Sequence, residues 1–268
     1  MSLDAALLIA RSGLGAVQRG LAQASQNIAN ADTPGYTRKA VPQQAVTVGD
    51  SPAGLRTADA ARAVDAALLA RLDASRAGSA AAGLREALLT GIEQAHGEAG
   101  HTLADGLAEL RTGFLALRAA PADAGKQQAT AAAAETLALR LNGVSQAIGT
   151  ARQQAQDGIV AEVKAANAAL RQVAALTLQL KTGGEGDAAA LEDQRDAAIA
   201  TLAESLGVQA VKRSGGDLLL VAKGGIILPL DPGRDQLATA DAMVQPASLH
   251  GAGGSLPGVT LNGLDITG

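Results

Sequence analysis

The sequence has no cysteine and no tryptophan. Its 268 residues include one tyrosine, Tyr36, and one phenylalanine, Phe114. Without cysteine there is no disulfide framework, no thiol nucleophile and no cysteine-based zinc or iron–sulfur site. With so few rings, the interior must be built from Leu, Val, Ile and Ala rather than from large aromatic side chains. Ala is also the strongest helix former, about 1 kcal/mol per residue better than Gly. The composition therefore favours closely apposed helices over a sandwich or barrel. Lys and Arg total 22 against 26 Asp and Glu, a formal charge of −4. That balance lacks the basic excess that marks nucleic-acid binding. No run of about 18 apolar residues is present to span a membrane. No cleavable export signal is expected, since the start is acidic at Asp4 and the apolar stretch Ala5–Ala10 is too short for a signal core. The expected location is the cytoplasm, or an external site reached without cleavage.

What is present is helical patterning. From Ser2 to about Asn30, apolar residues fall at Leu3, Leu7, Ala10, Leu14, Val17, Leu21, Ala24 and Ile28. Steps of four and three alternate throughout, which is heptad spacing and makes a narrow apolar seam on one helix face. Arg11, Gln18, Arg19, Gln23, Gln26 and Asn27 occupy the other faces. Gly13, Gly15 and Gly20 each weaken such a helix by roughly 0.5–1 kcal/mol relative to Ala. The helix is expected to fray alone and to be stable once its seam meets another helix. Asn30, which tolerates the left-handed conformation, and Pro34-Gly35, which suits the centre of a type II turn, end it.

The chain then divides by composition. Residues 1–35 form the helix and its exit. Residues 36–57, with Pro42, Gly49, Pro52 and Gly54, read as an extended linker with one short strand. Residues 58–206 repeat the four-three spacing at Leu103–Leu117, at Leu137–Ile148 and at Ile159–Val173, with a break at Pro121 and a loop at 182–187, as in an antiparallel helical bundle. Residues 207–268 read as a small β region, incomplete at its C-terminal end. It opens with a hairpin of Val208–Val211 and Leu218–Ala222 around a Gly-rich turn. The expected fold class is mainly α: a long N-terminal heptad helix, an antiparallel helical bundle, then a small β-hairpin region.

Catalytic and metal motifs are not found. His96, His101 and His250 lack the spacing of a helical metal pair. The glycine clusters at 183–186 and 251–254 lack the G-K-[ST] ending of a phosphate loop and read as flexible connections. Glu192-Asp193-Gln194-Arg195-Asp196 reads as a helix-surface patch with internal ion pairs, worth a few tenths of a kcal/mol. No catalytic residue, cofactor or metal is expected, and the chain is not expected to be an enzyme.

One stretch carries a resemblance. Ser25-Gln26-Asn27-Ile28-Ala29-Asn30-Ala31-Asp32-Thr33-Pro34-Gly35-Tyr36-Thr37-Arg38 resembles the S-x-N-I-A-N-x-x-T-x-G-Y-x-R segment that follows the opening helix of bacterial flagellar axial proteins, those of rod, hook and junction. Farther on, Leu191-Glu192-Asp193-Gln194-Arg195-Asp196, followed by Leu202, Leu206, Gly207 and Val208, resembles the L-x-D-Q-R-D helix of the first hook–filament junction family, hook-associated protein 1. The likeness covers about residues 1–230.

The resemblance implies a structural part of the flagellum. Such proteins are exported unfolded by the flagellar type III apparatus, with an export chaperone. They assemble outside the cell as a helical ring of identical subunits between the hook protein and the second junction protein. On this implication Leu7, Leu14, Val17, Leu21 and Ile28 pack against neighbouring terminal helices. Asn27, Asn30, Thr33, Pro34, Gly35, Tyr36 and Arg38 shape the exit from the inner tube, and Leu191, Asp193, Gln194, Arg195 and Asp196 mark the signature helix. Family members also close with a second heptad helix that pairs with the first. Residues up to Gly268 show no such pattern, so the mate of the seam is expected from other copies, and the chaperone contact made through that end is in question. A rod or hook subunit would share residues 1–38 but lack the signature helix. A soluble coiled-coil scaffold or sensor module would share only the heptads.

Overall fold

A computed structural model describes residues 3–183, 187–213, 217–251 and 253–266. In chain order the elements are α1 (Leu3–Ala29), β1 (Lys39–Ala40), β2 (Gln43–Val48), β3 (Ser51–Thr57), β4 (Ala61–Arg62), α2 (Ala66–His96), α3 (Leu103–Ala119), α4 (Ala124–Thr182), α5 (Ala188–Leu206), β5 (Gln209–Lys212), β6 (Leu218–Val221), β7 (Ile227–Leu228), β8 (Leu237–Ala238), β9 (Thr260–Leu261) and β10 (Leu264–Asp265). The class is mainly α with small antiparallel strand groups. The chain falls into two compact units, residues 1–78 with 166–236, and residues 79–165 with 237–268.

The first unit holds α1, the strands β1 to β7, and α5. Its largest fully buried side chains are Leu170 and Val173 of α4, Leu202 of α5 and Leu220 of β6. On α4 the buried positions Ala166, Leu170, Val173 and Thr177 follow the spacing of one helix face. Asp187 caps α5, its carboxylate accepting from the Ala189 N–H at 3.0 Å. Gly207 ends α5 in the left-handed conformation with φ of 61°, a position glycine takes without steric cost. The antiparallel sheet β5-β6-β7 follows directly. The tip of the expected hairpin, residues 214–216, lies outside the described residues, as do 184–186 of the expected loop.

Residues 36–57, expected as an extended linker with one strand, contain a two-stranded hairpin instead. β2 pairs antiparallel with β3, with a register shift between Val46 and Thr47. The hairpin exists because α1 supplies it with a surface, and not through the apolar seam. The face of α1 turned to it carries Ile9, Ser12, Ala16, Gly20, Gln23 and Asn27, with Ala16 2% exposed. Ser12 Oγ accepts from the Leu55 N–H at 3.0 Å and donates to the Ile9 carbonyl at 2.8 Å. A Cβ on Gly54, whose φ is +125°, would sit 2.6 Å from Ser12 Oγ, so only glycine permits this approach. The Gln43 side-chain amide donates to the Ala16 carbonyl at 3.4 Å. The polar faces of the helix therefore do not all look to solvent: Gln23 is buried and Asn27 half-buried.

The second unit contains α3, much of α2 and α4, and the sheet β10-β9-β8. Three of the apolar runs read separately in the sequence are only two helices, since Leu137–Ile148 and Ile159–Val173 both lie on α4. Thr102 and Asp105 form a capping box at the start of α3, with Thr102 Oγ1 accepting from the Asp105 N–H at 3.2 Å. Hydrogen bonds from Thr102 hold the Asp105 carboxyl below the usual range. Small residues bring α3 against α4: a Cβ on Gly113 would lie 3.0 Å from Thr130 Oγ1. Residues 240–248, which form neither helix nor strand and turn at Pro246-Ala247, are anchored by α4 side chains. The Gln153 amide donates to the Ala242 carbonyl at 3.1 Å and accepts from the Val244 N–H at 2.8 Å, and Arg152 donates to the carbonyls of Gln245, Pro246 and Ser248.

Candidate functional site

The two sequence signatures, separate by some 150 positions, meet in the first unit. Their meeting begins with Asn27, on the face of α1 that looks at the chain returning from the turn. Its Oδ1 accepts from the Lys39 N–H at 3.0 Å and from the Tyr36 hydroxyl at 2.9 Å, and its Nδ2 donates to the Lys39 carbonyl at 2.8 Å. One amide side chain thus completes both backbone groups of Lys39 and the only phenol of the chain. The turn between is tight. The Thr33 N–H donates to the Asn30 carbonyl at 3.0 Å, and the Tyr36 N–H to the Thr33 carbonyl at 3.1 Å. Pro34 and Gly35 take its centre, with Gly35 at φ +80° as a type II turn requires.

Held this way, Lys39 projects its ammonium over the Tyr36 ring, 4.1 Å from the centroid, and onto Asp193 Oδ2 of α5 at 2.9 Å. Thr37 Oγ1 donates to Asp193 Oδ1 at 2.5 Å, and the Thr37 N–H to Oδ2 at 3.3 Å. Strand pairing sets Arg62 of β4 directly opposite Lys39 of β1. Two like charges facing across strands repel, and here α5 answers them with three carboxylates. Arg62 Nε lies 2.8 Å from Asp193 Oδ1, one terminal nitrogen 2.7 Å from Asp196 Oδ2, and the other 3.4 Å from Glu192 Oε2. The side chains of Lys39 and Arg62 are 3% and 5% exposed. Burial pushes the Asp193 carboxyl up, but hydrogen bonds from Lys39 and Thr37 and the charge of Arg62 outweigh it and hold the group below the usual range. Burial likewise pulls Arg62 down and is outweighed by Asp196, Asp193 and Glu192, which raise it.

The acidic run of α5 is therefore not the solvated patch of helix-internal pairs that its sequence suggested. Of its contacts only Arg195 to Glu192, at 3.9 Å, lies within the helix. Asp193 and Asp196 face the axial motif. Gln194 lines an open cleft with Thr33, Pro34, Gly35, Tyr36, Lys39, Ala190 and Ala197. Leu191 is half-buried, and Arg195 turns to a different cleft. Asn30 bonds back to the Gln26 carbonyl through Nδ2 at 3.0 Å. Arg38 is exposed, and its carbonyl accepts from the Ala63 N–H at 2.9 Å. Thr37, Lys39 and Arg62 complete the site without having stood out in the sequence. A lone Arg in an Ala-rich stretch gives no local signal, because its partner is chosen by strand pairing.

The seam of α1 is on the far side of the helix. Leu7, Leu14, Val17, Leu21 and Ile28 are all exposed, between 61% and 78%. Leu14 and Leu21 stand two residues from buried Ala16 and Gln23, roughly 200° round the helix. Among the described residues no group of three or more His, Asp or Glu is arranged to hold a metal, and no helix is long and apolar enough to cross a membrane.

Comparison with known proteins matches both halves of this arrangement. Residues 7–37 match the family "Flagella basal body rod protein", and residues 89–258 match "Flagellar hook-associated protein FlgK helical domain". Flagellar hook-associated protein 1 of Escherichia coli is 26% identical over 247 residues, 89% of this chain and 45% of that protein, so the chain spans about half the length of this relative. The solved hook junction protein FlgK of Burkholderia pseudomallei is 25% identical and superposes with a TM-score of 0.57 over 67% of this chain and 31% of its own. These are structural flagellar families, and the rod and hook alternative does not account for the match over 89–258. With a family match over more than half of its residues, the chain belongs to the flagellar hook-associated protein FlgK family.

Proposed function

We propose that this protein is a hook–filament junction subunit that joins a helical polymer through the seam of α1. The observation that carries the reading is the two-faced α1. Its small and polar face is used up by the protein's own hairpin, while Leu7, Leu14, Val17, Leu21 and Ile28 stay in solvent. Fully burying a Leu or Ile side chain is worth about 1.5–3 kcal/mol, so a helix carrying five such groups outward is poised for association. Contacts repeated head to tail between identical subunits generate an open helix rather than a closed pair. In this role the polymer lies outside the cell. Its neighbours are the hook protein and the second junction protein, and delivery is by the type III apparatus with its chaperone. The ion cluster around Asp193 fixes the direction in which α1 leaves the rest of the subunit.

The test exploits the absence of native cysteine. Val17→Cys and Ala16→Cys are produced in cells whose flagella depend on this protein, and isolated flagella are oxidised. Val17→Cys should give cross-linked species and Ala16→Cys should not. Cross-linking through position 16 alone would refute the reading. In parallel, Leu14→Gln with Leu21→Gln should leave the secreted subunit folded yet stop filament attachment.

A further inference from the structure

A second cleft of the first unit lies apart from the axial motif, lined by Leu180 and Lys181 of α4, Ala188, Glu192 and Arg195 of α5, Lys212 of β5, then Arg213, Asp217 and Leu218. Four of these groups are cationic and two are anionic. The two carboxylates are already engaged: Asp217 pairs with Lys181, and Glu192 reaches Arg62 at 3.4 Å. Asp217 is held below the usual carboxylate range by that Lys181 contact. Arg195 is the anomaly. Its side chain is 6% exposed, its Nε is enclosed, and among the described residues that Nε has no hydrogen-bond partner, while Glu192 stands 3.9 Å from a terminal nitrogen. A buried donor left unpaired is costly, more so when charged. The guanidinium is a flat fork of donors whose natural complement is an oxyanion. Lys212 and Arg213 add two exposed cations along the same wall.

We propose that this cleft is an oxyanion-binding site, with Arg195 as the fork and Lys212 and Arg213 as the flanking charges. The ligand is a phosphate, sulfate or carboxylate group, and it ties the end of α4, α5 and the β5–β6 hairpin together. The inference stands independently of the assembly reading, since no seam residue is involved.

The experiment follows the Arg195 Nε–Hε resonance of the nitrogen-15-labelled protein, assigned by its loss in Arg195→Lys, during titration with sodium phosphate at fixed ionic strength. A saturating shift is expected, with the thermal midpoint rising by about 3 °C at ten times the apparent Kd. Lys212→Ala with Arg213→Ala, both at exposed positions, should weaken the titration midpoint at least tenfold. A second series dilutes the protein without phosphate. A concentration-dependent shift that phosphate reverses identifies the oxyanion as a carboxylate of another copy, and also supports the site. A shift that never saturates, or that is unchanged in the double variant, overturns it, as does a resonance insensitive in both series.

Discussion

Asp193→Asn removes one charge from the centre of the cluster and changes almost nothing in volume. Arg62 keeps Asp196 and Glu192, but Lys39 loses its carboxylate while 3% exposed, keeping among the described residues the Tyr36 ring and an uncharged amide oxygen at position 193. Breaking a buried pair by deleting one partner costs about 3–5 kcal/mol. The lower figure applies, because Thr37 and the ring still serve the site. A loss of about 3 kcal/mol lowers the thermal midpoint by roughly 6–12 °C. Tyr36 is the only tyrosine and there is no tryptophan, so its emission reports on this site without labelling. Urea unfolding followed by tyrosine emission, beside circular dichroism for the whole chain, measures the effect. The partner experiment is Lys39→Met with Asp193→Leu, which replaces the pair by apolar groups and should recover most of the loss. Acid gives an independent check. The folded carboxyl lies below its ordinary value of 3.8. Its contribution is therefore complete above that value and disappears as pH falls through the lower folded value. The wild type should hold its Tyr36 signal through pH 5 and weaken below 3.8, and Asp193→Asn should lack that acid-dependent loss. A single variant within 1 kcal/mol of wild type, or a double variant no better than the single, refutes the reasoning.

Other outcomes follow from the same physical account. Ala16→Leu should cost about 1–3 kcal/mol by overpacking α1 against its hairpin. Leu14→Ser, at a position 61% exposed, should stay within about 0.5 kcal/mol; thermal unfolding of the two variants compares them, and an ordinary amphipathic reading expects the opposite order. Asp73 of α2 is buried with Oδ1 lacking a hydrogen-bond partner. Burial raises its carboxyl, and Asp196 and Glu204 add to this against the opposing Arg76. Asp73→Leu should therefore gain about 1–2 kcal/mol at neutral pH. A raised folded value means that the wild type recovers stability as pH falls, so the advantage should shrink in acid. Urea midpoints at pH 7 and pH 4 decide this, and an advantage that grows in acid would count against it.

The exposed seam and the buried cluster divide the work of α1. A helix of 27 residues carrying three glycines is intrinsically weak. It is held not by its hydrophobic stripe but by contacts that large side chains would block, at Ser12 against Gly54 and at Ala16 against Gln43. This arrangement leaves the stripe free at no cost to the fold of the subunit. At position 20, on the hairpin-facing side, the Gln43 amide lies 3.8 Å from where a Cβ would be, an ordinary contact that an alanine could also make.

Periodicity and turn chemistry, both local properties, were legible in the sequence. The four-three spacing placed α1, α3 and α4, Pro34-Gly35 placed the turn, and the change of composition at Gly207 coincides with the end of α5. The heptads also placed Leu7, Leu14, Val17, Leu21 and Ile28 on one face. Whether that face is inside or outside was not written there, because spacing fixes which residues share a side and says nothing of what covers it. Burial of the small face depended on a hairpin whose strands carry weak alternation, so its signal was lost among the prolines and glycines of residues 36–57. The ionic site was hidden for the same reason. Asp193 and Asp196 looked like a surface patch until strand pairing set Arg62 beside Lys39, residues that share no motif and touch the acidic helix only when the chain has folded back upon itself.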